Sequence, residues 1–242
     1  MALLEVSGLS KRFGAVVVAD QVDLAADVGE CLGVIGPNGA GKSSLFNLVA
    51  GTLAPDAGTI RFDGHDVTAL PAHKRARAGI VRAFQIPQPF PKLTVYENLL
   101  VAAQYGAGLT GNAAAAWVME VLREFGLAEK AELLGGGLTL LDRKRLELAK
   151  AVASKAKLLL LDEVAGGLTE REVEELAALI VTLKRNHAIV WVEHIAHALR
   201  AAADRILLLH FGKKLLDGPP AAVLADPVVR QIYMGLAADE AA

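Results

Sequence analysis

Gly36-Pro37-Asn38-Gly39-Ala40-Gly41-Lys42-Ser43 matches G-x-x-x-x-G-K-[ST] at each defined position. Residues of these types at this spacing suit the cradling of a polyphosphate. The glycines let the backbone curl until its N–H groups point inward. Lys42 then reaches the β- and γ-phosphates, and the Ser43 hydroxyl can ligate Mg²⁺. A helix opening near Gly41 adds the positive end of its dipole. A second chemical element is the run Leu158-Leu159-Leu160-Leu161-Asp162-Glu163. A carboxylate ending a buried strand lies at the carboxyl edge of the sheet, where doubly wound folds bind ligands. There Asp162 can hold Mg²⁺ through water, and Glu163 can orient or deprotonate an attacking water.

Such groups need a rigid sheet beneath them. Four short apolar runs supply it: CLGVIG (31–36), KLLLLD (157–162), AIVWVE (188–193) and RILLLH (205–210). They are continuous rather than alternating, as strands buried on both faces of a parallel sheet are. Helical patterns sit between them. Thr169 with Glu172 three residues on is a capping box opening VEELAALIVTLK, and SLFNLVAG ends at Gly51. The expected class is α/β, a P-loop NTPase fold with a mostly parallel sheet. In the first 70 residues, ALLEVSGL and TIRFDG with their Gly and Asp punctuation predict an N-terminal antiparallel β subdomain.

Residues 86–150 read differently. IPQPFPKL carries three prolines, which disfavour helix and central strand. Thr94 introduces VYENLLVAAQ; AAAAWVMEVLREFG follows and stops at Gly126; GGG at 135–137 breaks the chain before DRKRLELAKAVASK. The expected organisation is a single domain, 1–242. Residues 1–85 and 151–242 form the α/β core with its antiparallel region, and 86–150 form an inserted helical subdomain.

Lys plus Arg total 25 against 27 Asp plus Glu, a balance that argues against nucleic-acid binding through an overall positive field. The lone cysteine, Cys31, cannot form an internal disulfide, which points to a reducing compartment. The opening MALLEVSGLSKRF has no signal-peptide core, being interrupted by Glu5 and Gly8. The longest uncharged stretch, Asn98 to Met119, is long enough to span a bilayer. Its Gln104, Gly106, Gly108, Thr110, Gly111 and Asn112 predict two helices and a loop instead. The chain is thus expected to be soluble and to reach a membrane through partners. The basic clusters at 73–77 and 143–145 read as solvated helix faces, with docking to anionic headgroups or an acidic partner loop as the alternative.

Taken together, these motifs resemble the nucleotide-binding subunit of an ATP-binding-cassette (ABC) transporter over almost the whole chain. The resemblance implies that ATP and Mg²⁺ are held by residues 36–44, ending Ser43-Ser44, with Phe13 stacked on adenine. It implies that Gln85 touches Mg²⁺ and the membrane subunit, and that Asp162 completes the metal site. Glu163 becomes the catalytic carboxylate, AGGLT (165–169) the loop after it, and His194 in WVEHIAHAL the sensor of γ-phosphate. GIVRAFQIPQPFPKLTVYENLLVAA and the ending DPVVRQIYMGL resemble the subunits that serve branched-chain amino acids and related hydrophobic or amide substrates. The implied partners are integral-membrane permease subunits, a second ABC ATPase subunit in a homo- or heterodimer and, indirectly, an external solute-binding protein. No nucleic acid is expected, and the implied location is the cytoplasmic face of the cell membrane.

Two positions depart from that family pattern. A signature close to L-S-G-G-Q is replaced by Leu138-Thr139-Leu140-Leu141-Asp142. In the family this helix start binds the γ-phosphate held by the opposite subunit, so Thr139 and Leu141 take that role by resemblance. Locally, Thr139 is an N-cap and Asp142 completes [ST]-x-x-[DE]. Asp142 repels a phosphate unless it turns away or folds back. Val164 stands where the family usually has proline, with a modest effect expected on loop rigidity. Two rival readings are a non-transport cassette acting on DNA or ribosomes and a weakly active regulatory subunit.

Overall fold

The computed structural model describes residues 2–234; the last two residues of the DPVVRQIYMGL match lie outside the described residues. The chain runs β1 (Leu4–Phe13), β2 (Val16–Ala26), β3 (Cys31–Ile35), α1 (Lys42–Ala50), β4 (Ala57–Phe62), β5 (His65–Asp66), α2 (Ala72–Ala78) and β6 (Ile80–Ala83). Three helices follow, α3 (Val95–Tyr105), α4 (Gly111–Glu124) and α5 (Leu140–Ala153). The remainder is β7 (Leu158–Asp162), α6 (Glu170–Leu183), β8 (Ala188–Val192), α7 (Ala196–Ala202), β9 (Arg205–His210), β10 (Lys213–Gly218), α8 (Pro220–Ala225) and α9 (Pro227–Met234).

The main sheet has the order β10-β9-β3-β8-β7-β6. Four of its five pairings are parallel; at one edge β10 returns antiparallel along β9. An antiparallel sheet, β2-β1-β4-β5, accompanies it. The four predicted apolar runs are β3, β7, β8 and β9, and both their faces are buried. Leu32, Val34, Leu158, Leu160, Val190 and Val192 meet α1 and the antiparallel sheet. The alternate residues Ile35, Leu159, Leu161, Ile189 and Trp191 meet the helices of the other face. Continuous rather than alternating hydrophobicity follows from this double covering. The reading of the sequence did not anticipate β2, β6 or β10.

Helices α3 and α6 open with capping boxes at Thr94 and Thr169. Among the described residues no helix is long and apolar enough to cross a membrane. The uncharged stretch 98–119 is divided between α3 and α4. The basic clusters correct the expectation of solvated faces, because each hides one cation. Arg75 is 1% exposed and donates to the carbonyls of Leu48, Val49, Thr68 and Leu70. Leu48 and Val49 belong to the last turn of α1, whose carbonyls lack i+4 helical partners and carry the negative end of the dipole. Lys144 is the other buried cation, at 2% exposure.

The strand order positions the site. β3, β8, β7 and β6 are consecutive parallel neighbours, so their carboxyl ends share one edge. From those ends the chain continues into Gly36, Glu193-His194, Glu163 and Gln85 respectively.

Candidate functional site

The loop 36–41 leaves β3 where only glycine fits. Gly36 has φ 155°, and a Cβ there would lie 2.2 Å from the Leu209 carbonyl oxygen. Gly41 has φ 104°, and its Cβ would lie 2.2 Å from the Val18 oxygen. Both contacts are with backbone and cannot yield. Gly39 and Ala40 complete the curve, and α1 begins at Lys42 with no side chain capping its N-terminus. The first N–H groups of α1, from Lys42, Ser43 and Ser44, are therefore available to an anion. Lys42 Nζ donates to the Gly36 and Pro37 oxygens at 2.6 and 3.0 Å. Burial pushes this ammonium below the usual lysine range, opposed by the charges of Glu163 and Asp162.

A cavity of about 530 Å³ is lined by Gly36, Pro37, Asn38, Lys42, Glu163 and His194. Residues far apart in sequence thus face one polar space. Glu163 sits at φ 47°, left-handed for a non-glycine residue, a conformation that costs on the order of 1–3 kcal/mol and clusters at functional sites. The turn is anchored by the Glu163 N–H donating to Val192 O at 2.8 Å. Gln85 Nε2 donates to Glu163 Oε2 at 2.8 Å, so the loop after β6 reaches the same edge.

Asp162 lies beside this cavity rather than in its lining. Its Oδ2 is 2.5 Å from Arg82 Nη2, with both side chains 14% exposed. Arg82 also donates to Asn47 Oδ1 at 2.7 Å and stacks 5.0 Å over the Phe84 ring, joining β6, β7 and α1. Phe13 is half exposed at the end of β1 and lines a neighbouring groove with Ser44, Asn47 and Phe84. Thr139 and Leu141 do not line the 530 Å³ cavity. They begin α5, where Thr139 Oγ1 accepts the Asp142 N–H at 3.3 Å and donates to Asp142 Oδ2 at 2.9 Å. Asp142, 4% exposed, also pairs with Lys130 at 2.5 Å and Arg145 at 4.0 Å. Its carboxylate folds back as a cap.

Three site residues escaped the sequence reading: Arg82, Lys144 and Glu193. Lys144 Nζ donates to the Gln85 carbonyl. Burial lowers its proton affinity, opposed by Glu193 and Glu163. A signal existed, since Lys144 falls three after Leu141 and four before Leu148 on the buried stripe of α5. Glu193 ends the apolar run of β8, and Arg82 interrupts the short run of β6.

A glycine cradle, a helix start open to anions and a carboxylate–histidine pair across one cavity, at the carboxyl edge of a parallel sheet, define a P-loop ATPase. The ABC transporter family pattern matches residues 19–166. The chain belongs to the ABC transporter family, as an ATP-hydrolysing, nucleotide-binding subunit. It is 36% identical to the high-affinity branched-chain amino acid transport ATP-binding protein BraF of Pseudomonas aeruginosa, over 96% of this chain and 98% of that one. Its identity to the corresponding protein LivG of Escherichia coli is 35%, with the same coverage. The fold is similar to that of an ABC transporter ATP-binding cassette solved in its ADP conformation. The TM-score is 0.89 at 26% identity, covering 98% of this chain and 100% of that chain.

Proposed function

We propose that this chain energises import of a small organic solute, a branched-chain amino acid or related compound, through a membrane permease. The observation that carries the reading is the convergence of four parallel strand ends, bearing the phosphate loop, His194, Glu163 and Gln85, on one edge. In this reading the loop 36–44 holds the ATP phosphates, Lys42 neutralises the β/γ pair and Phe13 stacks on adenine. Glu163 orients the attacking water, and His194 faces the γ-phosphate.

The oxygen donors Ser43, Gln85 and Asp162 suit a hard divalent cation that keeps waters and takes one carboxylate. They would hold Mg²⁺, which when bound offsets charge on the β- and γ-phosphates. Thr139 and Leu141 face the ATP of a second ABC subunit. Residues 86–150 act as the helical subdomain against a core of 1–85 and 151–242. The permease docks on the region following Gln85. A groove of about 430 Å³ supports this, running between His73, Ala76 and Arg82 on one side and Ala102, Tyr105 and Lys150 on the other. Half-exposed Phe90, in the region following Gln85, lies beneath the Lys150 ammonium of that groove at 5.9 Å. The assembly lies at the cytoplasmic face of the membrane, and an external binding protein selects the solute.

The test is purification of the native complex from membranes, followed by reconstitution into vesicles loaded with ATP. A copurifying permease and ATP-dependent uptake of radiolabelled leucine, isoleucine or valine are expected. Recovery of ribosomes or DNA, or ATP binding without turnover, would replace the proposal with one of its rivals.

A further inference from the structure

Glu193 is a carboxylate buried at the meeting point of three loops. The residue is 1% exposed, and its direct partners are N–H groups and one imidazole rather than a lysine or arginine. Oε2 accepts the Ala165 N–H at 3.2 Å, two residues beyond Glu163. Oε1 accepts the His194 N–H at 2.8 Å and the Ile195 N–H at 3.4 Å, and lies 3.2 Å from His194 Nδ1. Its own N–H donates to Val34 O on β3, two residues before the phosphate loop, at 3.3 Å. An isolated buried carboxylate is costly, and this one is compensated by donors from both walls of the phosphate cavity.

We propose that Glu193 is a positioning residue for the ATPase. It holds His194 in the tautomer with hydrogen on Nδ1, keeping Nε2 for the cavity, and ties that ring to the loop carrying Glu163. A carboxylate oxygen facing Nδ1 only accepts, so it selects that tautomer; the bond made by one ring nitrogen sets the state of the other. The three backbone donors fall on both oxygens, Ala165 on Oε2 and His194 and Ile195 on Oε1, so an amide in this place would turn its NH₂ against at least one of them. The inference rests on the proposed role of His194 at the γ-phosphate.

The test combines kinetics with the nitrogen spectrum of the imidazole. In the nucleotide-free protein labelled with ¹⁵N-histidine, the His194 signals, assigned by their loss in His194→Ala, should report hydrogen on Nδ1. In Glu193→Leu, which removes both oxygens, that signature should be lost; in both Glu193→Leu and Glu193→Gln turnover should fall about ten- to a hundred-fold, the scale for removing an orienting partner of a functional histidine, while ATP still binds. The double variant Glu193→Gln/His194→Ala should turn over no more slowly than His194→Ala alone. Hydrogen on Nε2 in the unmodified protein overturns the proposal, even if Glu193→Gln does not fold. Full activity of Glu193→Gln, or a double variant slowed by the product of the two single effects, overturns it equally. Wild-type turnover in His194→Ala would instead remove the underlying role of His194, which separates the two failures.

Discussion

Helices α1 and α5 both begin where the family meets phosphate, and their first turns are finished in opposite ways. α1 starts from Gly41 with no side-chain cap, so its leading N–H groups need an external acceptor. α5 starts from Thr139, whose hydroxyl takes the Asp142 N–H, while the Asp142 carboxylate returns the bond and is neutralised by Lys130 and Arg145. The first turn is incomplete without an anion; the second already contains one. A helix N-terminus attracts anions only while its donors and dipole remain unanswered. The glycines of the first loop are held by backbone contacts at Leu209 and Val18, whereas Leu141 of the second is packed inward at 8% exposure. The two starts thus offer an external anion different numbers of free donors.

The largest effect expected concerns the end of the cavity that does chemistry. Glu163→Gln preserves the shape of the side chain but removes the carboxylate that we propose orients water. Turnover should fall by at least about a hundred-fold, the scale of a lost general base, with ATP still bound. Phosphate release and ATP calorimetry on the same preparation check this. A variant that hydrolyses at the parent rate would move the catalytic role elsewhere.

Next comes the open helix start itself. Lys42 lies against its own loop through the Gly36 and Pro37 carbonyls, and in the proposed function those bonds are exchanged for phosphate oxygens. Lys42→Ala should weaken ATP about ten- to a hundred-fold, corresponding to about 1.5–3 kcal/mol for a charge-assisted contact. Unchanged affinity in calorimetry would mean that the backbone cradle alone suffices, and the contrast between the two starts would lose its first half.

Much of that cradle was readable in advance, because it depends on local order. A glycine pattern, an apolar strand before it and a helix after it are neighbours in sequence, and so are Thr94, Thr139 and Thr169 with the acids that complete their caps. The partners of the buried charges were not readable, even where, as at Lys144, the burial itself was signalled by the helix stripe. Arg75 is hidden by carbonyls more than twenty residues away on α1, and Lys144 by Gln85, 59 residues away. Glu193 is satisfied by a loop 28 residues earlier. A charge run reads as solvated until the fold supplies such partners. β6 was missed for a related reason: four residues with an arginine among them form a strand only because β7 is there to pair with.

Asp142 sharpens the comparison by opening the second start. Asp142→Gln removes the internal anion, leaving Lys130 without its partner and Arg145 with Glu175 alone. Stability should fall by about 1–2 kcal/mol, a modest cost because Lys130 is 39% exposed and can rehydrate. ATPase activity of the purified chain, expected to be weak in the parent, should rise as the positive charge near α5 becomes available to an ATP held by a second copy. In a complex with a related subunit carrying an ordinary signature, this chain's own site should dominate. Vigorous cooperative hydrolysis by the unaltered chain would show that the closed start is competent and end the contrast.

The smallest effect separates a cap from a ligand site. Thr139→Ala deletes the acceptor for the Asp142 N–H and the donor to its carboxylate. Losing such an N-cap costs about 1 kcal/mol, and Thr94→Ala and Thr169→Ala, which also break capping boxes, provide the scale within the same molecule. If Thr139 serves only the helix, its cost in thermal or urea unfolding should match theirs and stay the same when saturating ATP is added under non-hydrolysing conditions. If the hydroxyl also meets phosphate across a dimer, ATP should stabilise Thr139→Ala less than the two control variants. The closed geometry at Asp142 predicts the first outcome for the chain on its own. The second outcome would show that the cap opens when a partner's nucleotide arrives, and that the two helix starts differ only in their resting state.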